Sequence, residues 1–552
     1  MINIVYIANK VRIIMKTIVP FALSFLFALP AFAQESAYVD LYSTKDFSTP
    51  LWAADGKTTY FKYQWVDEEK QKSWWQTESG APTIPGANNN LWVIADTTSQ
   101  TGIVSGYGNV PLEIHDLNYV LKVGSPGFDL IGGADVNINM AGNLNITLEE
   151  SYANWNSTSL NIVMGGGEQV GNTYHVYGDM NVLNKAAGSA IHQQGLKLTV
   201  RNNYTSSQVN LSSGDSAYYT TAIQKNCTFQ VDGDLTFSQT SGYSSTEDLD
   251  AQKIIFQTSV TNFIVGGVVD MTSLYANTVH NEYLAEWNLK TRFGTKAETL
   301  SPDAAFDSNI TIGGLKGNAL LSATEDYDAA NHKINMTFTN KVDAVWQGTF
   351  KNDGGTQFHL KMDSSATNSQ TMVFSDKSAT NSATGLLVDS VGVSGGTLLF
   401  QNQSSYGNGE LVLDGGKFGA LGDGASFASA VLKSGALLIG NKDSFSAGIY
   451  SLNLGALAKE GTEKIGIDFD GFDATMLIDE PAYTLIFCES PAGFSSDAND
   501  DFIAQNLLGA LANFAWDGNM LTVSFSQVPE PAATAALLGA LALGLAAWRR
   551  RK

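Results

Sequence analysis

Cysteine is almost missing from this 552-residue chain: Cys227 and Cys488 are the only two. A disulfide-stapled framework is thereby excluded. The two could pair in an oxidising compartment, but so far apart in sequence they read better as independent buried thiols. Histidine is scarce as well, six residues, and no His-Glu-x-x-His, His-x-His or Cys-x-x-Cys occurs. No metal site or cofactor is expected from them, since zinc is left without a recognisable ligand set. Positive charge is short, with 32 Lys plus Arg against 54 Asp plus Glu, a net charge of −22. Binding nucleic acid needs cations that displace counterions, so no such partner is expected. Sustained helical periodicity is also missing from nearly all of the interior.

What is present begins at the two ends. Lys16, an apolar run from Ile18 to Ala31, and Ala31-Phe32-Ala33 form the three parts of a secretory signal, with cleavage expected between Ala33 and Gln34. Lys10 and Arg12 interrupt the apolar residues before Met15, which makes Met15 a plausible start. At the other end stand Pro529-Glu530-Pro531, an uncharged run from Ala532 to Trp548, and then Arg549, Arg550, Arg551 and Lys552. As a helix that run would be roughly 25 Å long, at the short end of what spans a bilayer. The four cations would hold the extreme C-terminus in the cytoplasm, with Trp548 at the interface. These ends hold seven cations and one anion, so the ectodomain, 34–528, is more acidic still.

The tail, by its Pro529-Glu530-Pro531 motif, single weak span and basic terminus, resembles the PEP-CTERM sorting signal of bacterial envelope proteins. The resemblance implies a temporary membrane tether and a partner, the membrane protease exosortase, that cuts near the motif. A permanent tail anchor is the plain alternative. On either reading the chain is exported and held at the inner membrane; on the first, that tether is an intermediate and the chain is bound for the cell surface or extracellular matrix.

Between the ends, 53 glycines and short alternating apolar and polar runs point to an all-β body. From about 130 to 320 the runs share a step of Gly, then Asp or Asn, then a large apolar residue. Gly142-Asn143-Leu144, Gly178-Asp179-Met180 and Gly233-Asp234-Leu235 are examples, with Gly266-Gly267 and Gly313-Gly314-Leu315 as variants. Units that bury one face only by stacking on a neighbour mark a solenoid. A right-handed parallel β-helix is therefore expected, its Gly and Asn corners in the left-handed conformation. Asn137, Asn139 and Asn145 should face outward or form side-chain ladders. Tandem β-sandwich domains are the competing architecture.

The expected organisation is a signal peptide over 1–33, an aromatic N-terminal cap and first coil over 34–100, and an irregular solenoid over 101–389. A glycine-rich region with C-terminal closure follows over 390–527, then the sorting signal with its membrane helix over 528–552. The cap carries Trp52, Tyr60, Phe61, Tyr63, Trp65, Trp74, Trp75 and Trp92 before Pro85-Gly86-Ala87-Asn88. It resembles the entry segment of secreted bacterial β-helix proteins. Its aromatics either bury themselves in the cap or offer a platform for sugars. Gly395-Gly396, Gly415-Gly416 and Ser434-Gly435 recur at a spacing that resembles autotransporter passenger repeats. Tyr483 to Cys488 and Met520 to Phe525 read as closing strands, and Phe502 to Phe514 as a helix.

No catalytic set stands out. Gly392-Val393-Ser394-Gly395-Gly396 has the form of a nucleophile elbow, but every histidine precedes Ser394 and a strand follows it, so it reads as a turn. Asp500-Asp501 lies in a polar stretch that reads as a solvated loop. Asp468, Asp470 and Asp473 offer oxygens to calcium without the spacing of a calcium loop. The expected function is that of a non-enzymatic exported envelope or matrix protein working through its surface, with extracellular polysaccharide as a partner. A carbohydrate-active enzyme on a β-helix is the alternative, and a permanently anchored receptor a third.

Overall fold

The computed structural model describes residues 38–43, 50–52, 59–63, 75–81, 85–95, 101–103, 112–121, 129–131, 138–149, 157–164, 173–185, 195–202, 204–208, 219–224, 228–239, 254–273, 285–289, 307–323, 333–348, 350–352, 357–364, 370–375, 389–401, 409–421, 425–438, 452–478, 480–528 and 531–550. Three parallel ladders run through them and define a β-solenoid. One climbs from Leu112–Ile114 through Ile138–Met140 and Thr173–Val176 to Ser390–Gly395 and Glu410–Leu421. A second climbs from Asn89–Ala95 through Leu117–Leu121 and Leu144–Leu148 to Thr397–Gln401. The third joins Thr59–Tyr63 to Phe350–Asn352. Among the described residues between 320 and 390 the first ladder continues, Ile334 pairing with Phe358 and Leu360 with Val391, with one irregularity between Met362 and Asp363. Sandwich domains would pair their strands antiparallel, and these ladders rule that alternative out for the described body.

Alternation sets which side chains enter the core. In Leu144–Leu148 and Met180–Asn184 every second residue is buried, and along the axis Leu144 stacks on Met180, Asn145 on Asn181 and Ile146 on Val182. Tyr174, Phe229 and Phe263 form one such column, with ring centroids 6.1 and 5.7 Å apart. Phe374, Phe400, Phe418 and Phe427 form another, edge to face at 5.5–5.7 Å. Outward positions hold polar ladders: Asn118, Asn145 and Asn181 are linked amide to amide at 2.9 and 3.0 Å. The expected ladder role of Asn145 is met. Asn139 faces outward too, donating to Glu113 Oε1 at 2.8 Å, while Asn137 lies outside the described residues.

The corner between the first two ladders has a repeated chemistry. Oδ1 of Asp116, Asn143, Asp179 and Asp234 accepts, in turn, the backbone N–H of Asn143, Asp179, Asp234 and Val268, at 2.7–2.8 Å. The partners lie 27, 36, 55 and 34 residues apart, so coils of very different length present the same corner. The glycine before Asn143, Asp179 and Asp234 is required by space, not by the left-handed backbone expected from sequence. A Cβ on Gly233 would stand 2.1 Å from Asp179 Oδ1 and 2.7 Å from Gly178 O, and neither Gly233 nor Gly267 has a positive φ.

From Val391 to Ala430 the coils tighten to about twenty residues, Val391, Leu411 and Ala430 standing in one column, and they lengthen again to Leu457 and Pro491. The closure departs from expectation at 502–514. In place of a helix there is a strand, Phe502–Gln505, laid parallel on Ile465–Asp468, and a second, Ala510–Asp517, in a hairpin with Met520–Gln527. Asn506 at φ +51° and Gly509 at φ +74° turn the chain between them. The expected closing pair does form, with Tyr483–Ala492 antiparallel to Met520–Gln527.

Candidate functional site

The last folded strand reaches to within a residue of the tail. Gln527 is paired with Ala510, Val528 is exposed, and a helix runs over Pro531–Arg549. Pro531 opens that helix, as suits a residue with fixed φ and no N–H. Of the motif, Pro529 and Glu530 lie outside the described residues, as do Arg551 and Lys552, and Ala33 and Gln34 at the N-terminal processing point. Helix side chains are described from Leu538 on. Leu538, Leu541, Leu543, Leu545 and Trp548 are exposed there, as are Arg549 and Arg550. Among the described residues no helix is long and apolar enough to cross a membrane.

The positions weighed for chemistry serve the fold. Ser394 lies in the strand Ser390–Gly395, not in the turn expected, and donates to Asp363 Oδ1 at 2.9 Å and Met362 O at 3.3 Å. Lys361 and Ser394 together hold the Asp363 carboxyl below its ordinary range. Asp468 is buried and bound by Lys417 Nζ, by Asn506 Nδ2 at 2.8 Å and by the Asp470 N–H at 3.0 Å. Asp473 instead accepts from the Thr475 N–H at 3.0 Å and caps a short turn. The three aspartates therefore do not converge, and no group of His, Cys, Asp or Glu suited to a metal occurs among the described residues. Asp501 overturns the solvated-loop expectation. It is buried against Lys459, Oδ1 to Nζ 3.3 Å, and accepts the Ser495 N–H at 2.5 Å.

His359 Nδ1 lies 2.7 Å from Ser390 Oγ in a depression of about 410 Å³ between Lys333 and Lys361. Burial pushes the imidazole pKa down, Lys333 adds to this, and Asp389 and Asp307 oppose it. Nε2 is buried with no hydrogen-bond partner, so no acid orients the ring and the pair does not make a nucleophilic triad. Of the cap aromatics, Trp75 is buried and Trp92 half-buried. Trp52, Tyr60, Phe61 and Tyr63 lie on strands whose side chains are outside the described residues, with Trp65 and Trp74 outside altogether. Cys488 is a free, buried thiol, its pKa raised by burial, and Cys227 lies outside the described residues.

Fold and tail thus define an all-β solenoid carrying a C-terminal processing segment. A family model, the PEP-CTERM protein-sorting motif, matches residues 527–552. No curated protein and no solved structure matches the chain. The motif is that of exported proteins sorted to the cell envelope or surface through exosortase.

Sequence reasoning missed the Lys459–Asp501 pair, for which Lys459 at the end of an alternating strand was the available signal. It also missed two exposed tyrosines, Tyr38 and Tyr177, stacked on His115 and His175 at 3.5 and 3.8 Å. His175-Val176-Tyr177 carries a local sign of the second stack in its alternation, whereas nothing local marks the first.

Proposed function

We propose that this chain is an exported cell-envelope or matrix protein whose right-handed solenoid works as an extended, adhesive or spacing surface. The C-terminal helix is a transient membrane tether, stopped by Arg549, Arg550, Arg551 and Lys552, and exosortase removes it at Pro529-Glu530-Pro531. The leader is cut between Ala33 and Gln34. The observation that carries this reading is the motif over 527–552 placed directly after the closing hairpin. No enzymatic step is assigned: Asp179, Asp473 and Asp501 are engaged in a corner, a cap and an ion pair.

The test is export and processing in cells. With the motif intact the protein should reach the surface, be cleaved by added protease on whole cells, and run shorter than the precursor. Replacing Pro529, Glu530 and Pro531 with alanine should leave an uncut, membrane-bound form. Full-size protein in the cytosol of cells with an intact motif would refute the reading.

A further inference from the structure

The outward column of the first ladder reads Glu113, Asn139, His175, Gln230 over successive coils. At the adjoining corner stand His115, Ala141, Tyr177 and Asp232, one per coil, each backbone N–H from Ala141 on bonded to the coil below at 2.8–2.9 Å. Tyr38 lies flat on His115, centroids 3.5 Å apart and 21° between planes, and Tyr177 lies on His175 at 3.8 Å and 24°. Tyr38 is 42% exposed and Tyr177 52%, whereas Tyr119 and Tyr174 are 1% exposed in the core. A ring stacked on one face and open on the other is fixed before any ligand arrives. Little entropy remains to be lost on binding.

We propose that Tyr38 and Tyr177 form a binding face for a neutral polysaccharide lying along the solenoid axis. A pyranose has an apolar face of C–H groups, which an aromatic face matches, and a rim of hydroxyls, which needs planar donors and acceptors. Both are supplied here. Asn139 Nδ2 donates to Glu113 Oε1 at 2.8 Å, and Asp232 takes Gln230 Nε2 at 2.7 Å and faces His175 Nε2 at 3.0 Å, leaving lone pairs for hydroxyls. Ala141, small and exposed, keeps the space between the rings clear. Tyr177 stands two coils from His115, about 10 Å at the usual strand spacing, so each ring takes a separate sugar of one chain. Glu113, Asp116 and Asp232 flank the face and outnumber Lys341, which lies near Asp232, so the net negative border selects against polyuronates by like-charge repulsion. The proposal rests on the reading that the chain works outside the cell, where such polymers are met.

The test is affinity electrophoresis of the purified full-length chain through native gels containing hydroxyethyl cellulose, galactomannan or polygalacturonate. At least one neutral polymer should retard the wild-type chain and polygalacturonate should not. The Tyr38→Ala/Tyr177→Ala double variant should lose the retardation at least tenfold in polymer concentration, with its melting midpoint unchanged. Each single variant should fall between. No retardation by either neutral polymer, an unaffected double variant, or retardation by polygalacturonate alone would overturn the proposal. Surface protease cleavage on cells reads export separately, so a failure of binding and a failure of export are distinguishable.

Discussion

Asp179 Oδ1 fills the space a Cβ on Gly233 would take, 2.1 Å away, and from there accepts the Asp234 N–H at 2.8 Å. The two residues stand in neighbouring coils. Glycine makes the room and the acidic side chain of the coil below uses it, so each corner is built by two coils at once. Asp234 then repeats the arrangement on the coil above, accepting the Val268 N–H at 2.7 Å.

Gly233→Ala should therefore destabilise the solenoid by about 1–3 kcal/mol, the usual cost of forcing a methyl into packed space. Removing the acidic side chain as well, in Asp179→Ala/Gly233→Ala, should recover only part of this, because Gly178 O is also 2.7 Å from the new Cβ. Urea midpoints of the two variants check both statements. Equal midpoints for Gly233→Ala and wild type would be incompatible with the corner described.

Asp179→Asn should be nearly neutral, since Asn143 already performs the same service for Asp179 at 2.8 Å. Asp179→Ala should cost about 1–2 kcal/mol by orphaning the Asp234 N–H. Thermal melts of the pair separate loss of charge from loss of the acceptor.

Lys459 and Asp501 are both buried at the closing end, with side chains 6% and 4% exposed. Asp501→Ala should cost about 3–5 kcal/mol, because it leaves a buried ammonium without its counter-charge, held among the described residues only by Gly461 O at 3.1 Å. Lys459→Met/Asp501→Leu should recover most of this by removing both charges together, and fall about 1–2 kcal/mol short of wild type because the Ser495 N–H loses its acceptor. A chemical denaturation series decides it.

Asp468 gives a pH dependence. Burial raises its pKa, but Lys417, Asn506 and the Asp470 N–H outweigh burial and leave it below its ordinary value of 3.8. A carboxyl depressed on folding contributes stability that is complete above the unfolded pKa and is lost as pH falls through the folded one. Stability should therefore fall below about pH 4. Asp468→Asn should flatten that fall and lower stability at pH 7. Denaturation midpoints from pH 2 to 7 on both chains provide the check.

The solenoid was legible because its signal is local: each Gly-Asx-apolar step sits at a corner, and alternation marks the strands on either side. The reason for the glycine was not legible. Asp179 and Gly233 are distant in sequence, and only the stacked coils show that a carboxylate stands where the Cβ would be. The helix expected over 502–514 failed for the complementary reason. Phe502, Ile503, Leu507, Leu508, Leu511 and Phe514 fit a helical face, but the open edge of Ile465–Asp468 takes Phe502–Gln505 as its next strand, and Met520–Gln527 takes Ala510–Asp517. The tail was readable from its order of segments alone. The tyrosine face was not, since Tyr38 meets His115, and comes to share a face with Tyr177, only by winding.

The most direct measurement is the intact mass of the protein recovered from the cell surface or medium. The account predicts a chain that begins at Gln34 and ends near Pro529-Glu530-Pro531, lacking Arg549 to Lys552. A mass that still includes Lys552 would contradict processing, and one that retains the residues before Gln34 would contradict export by the leader.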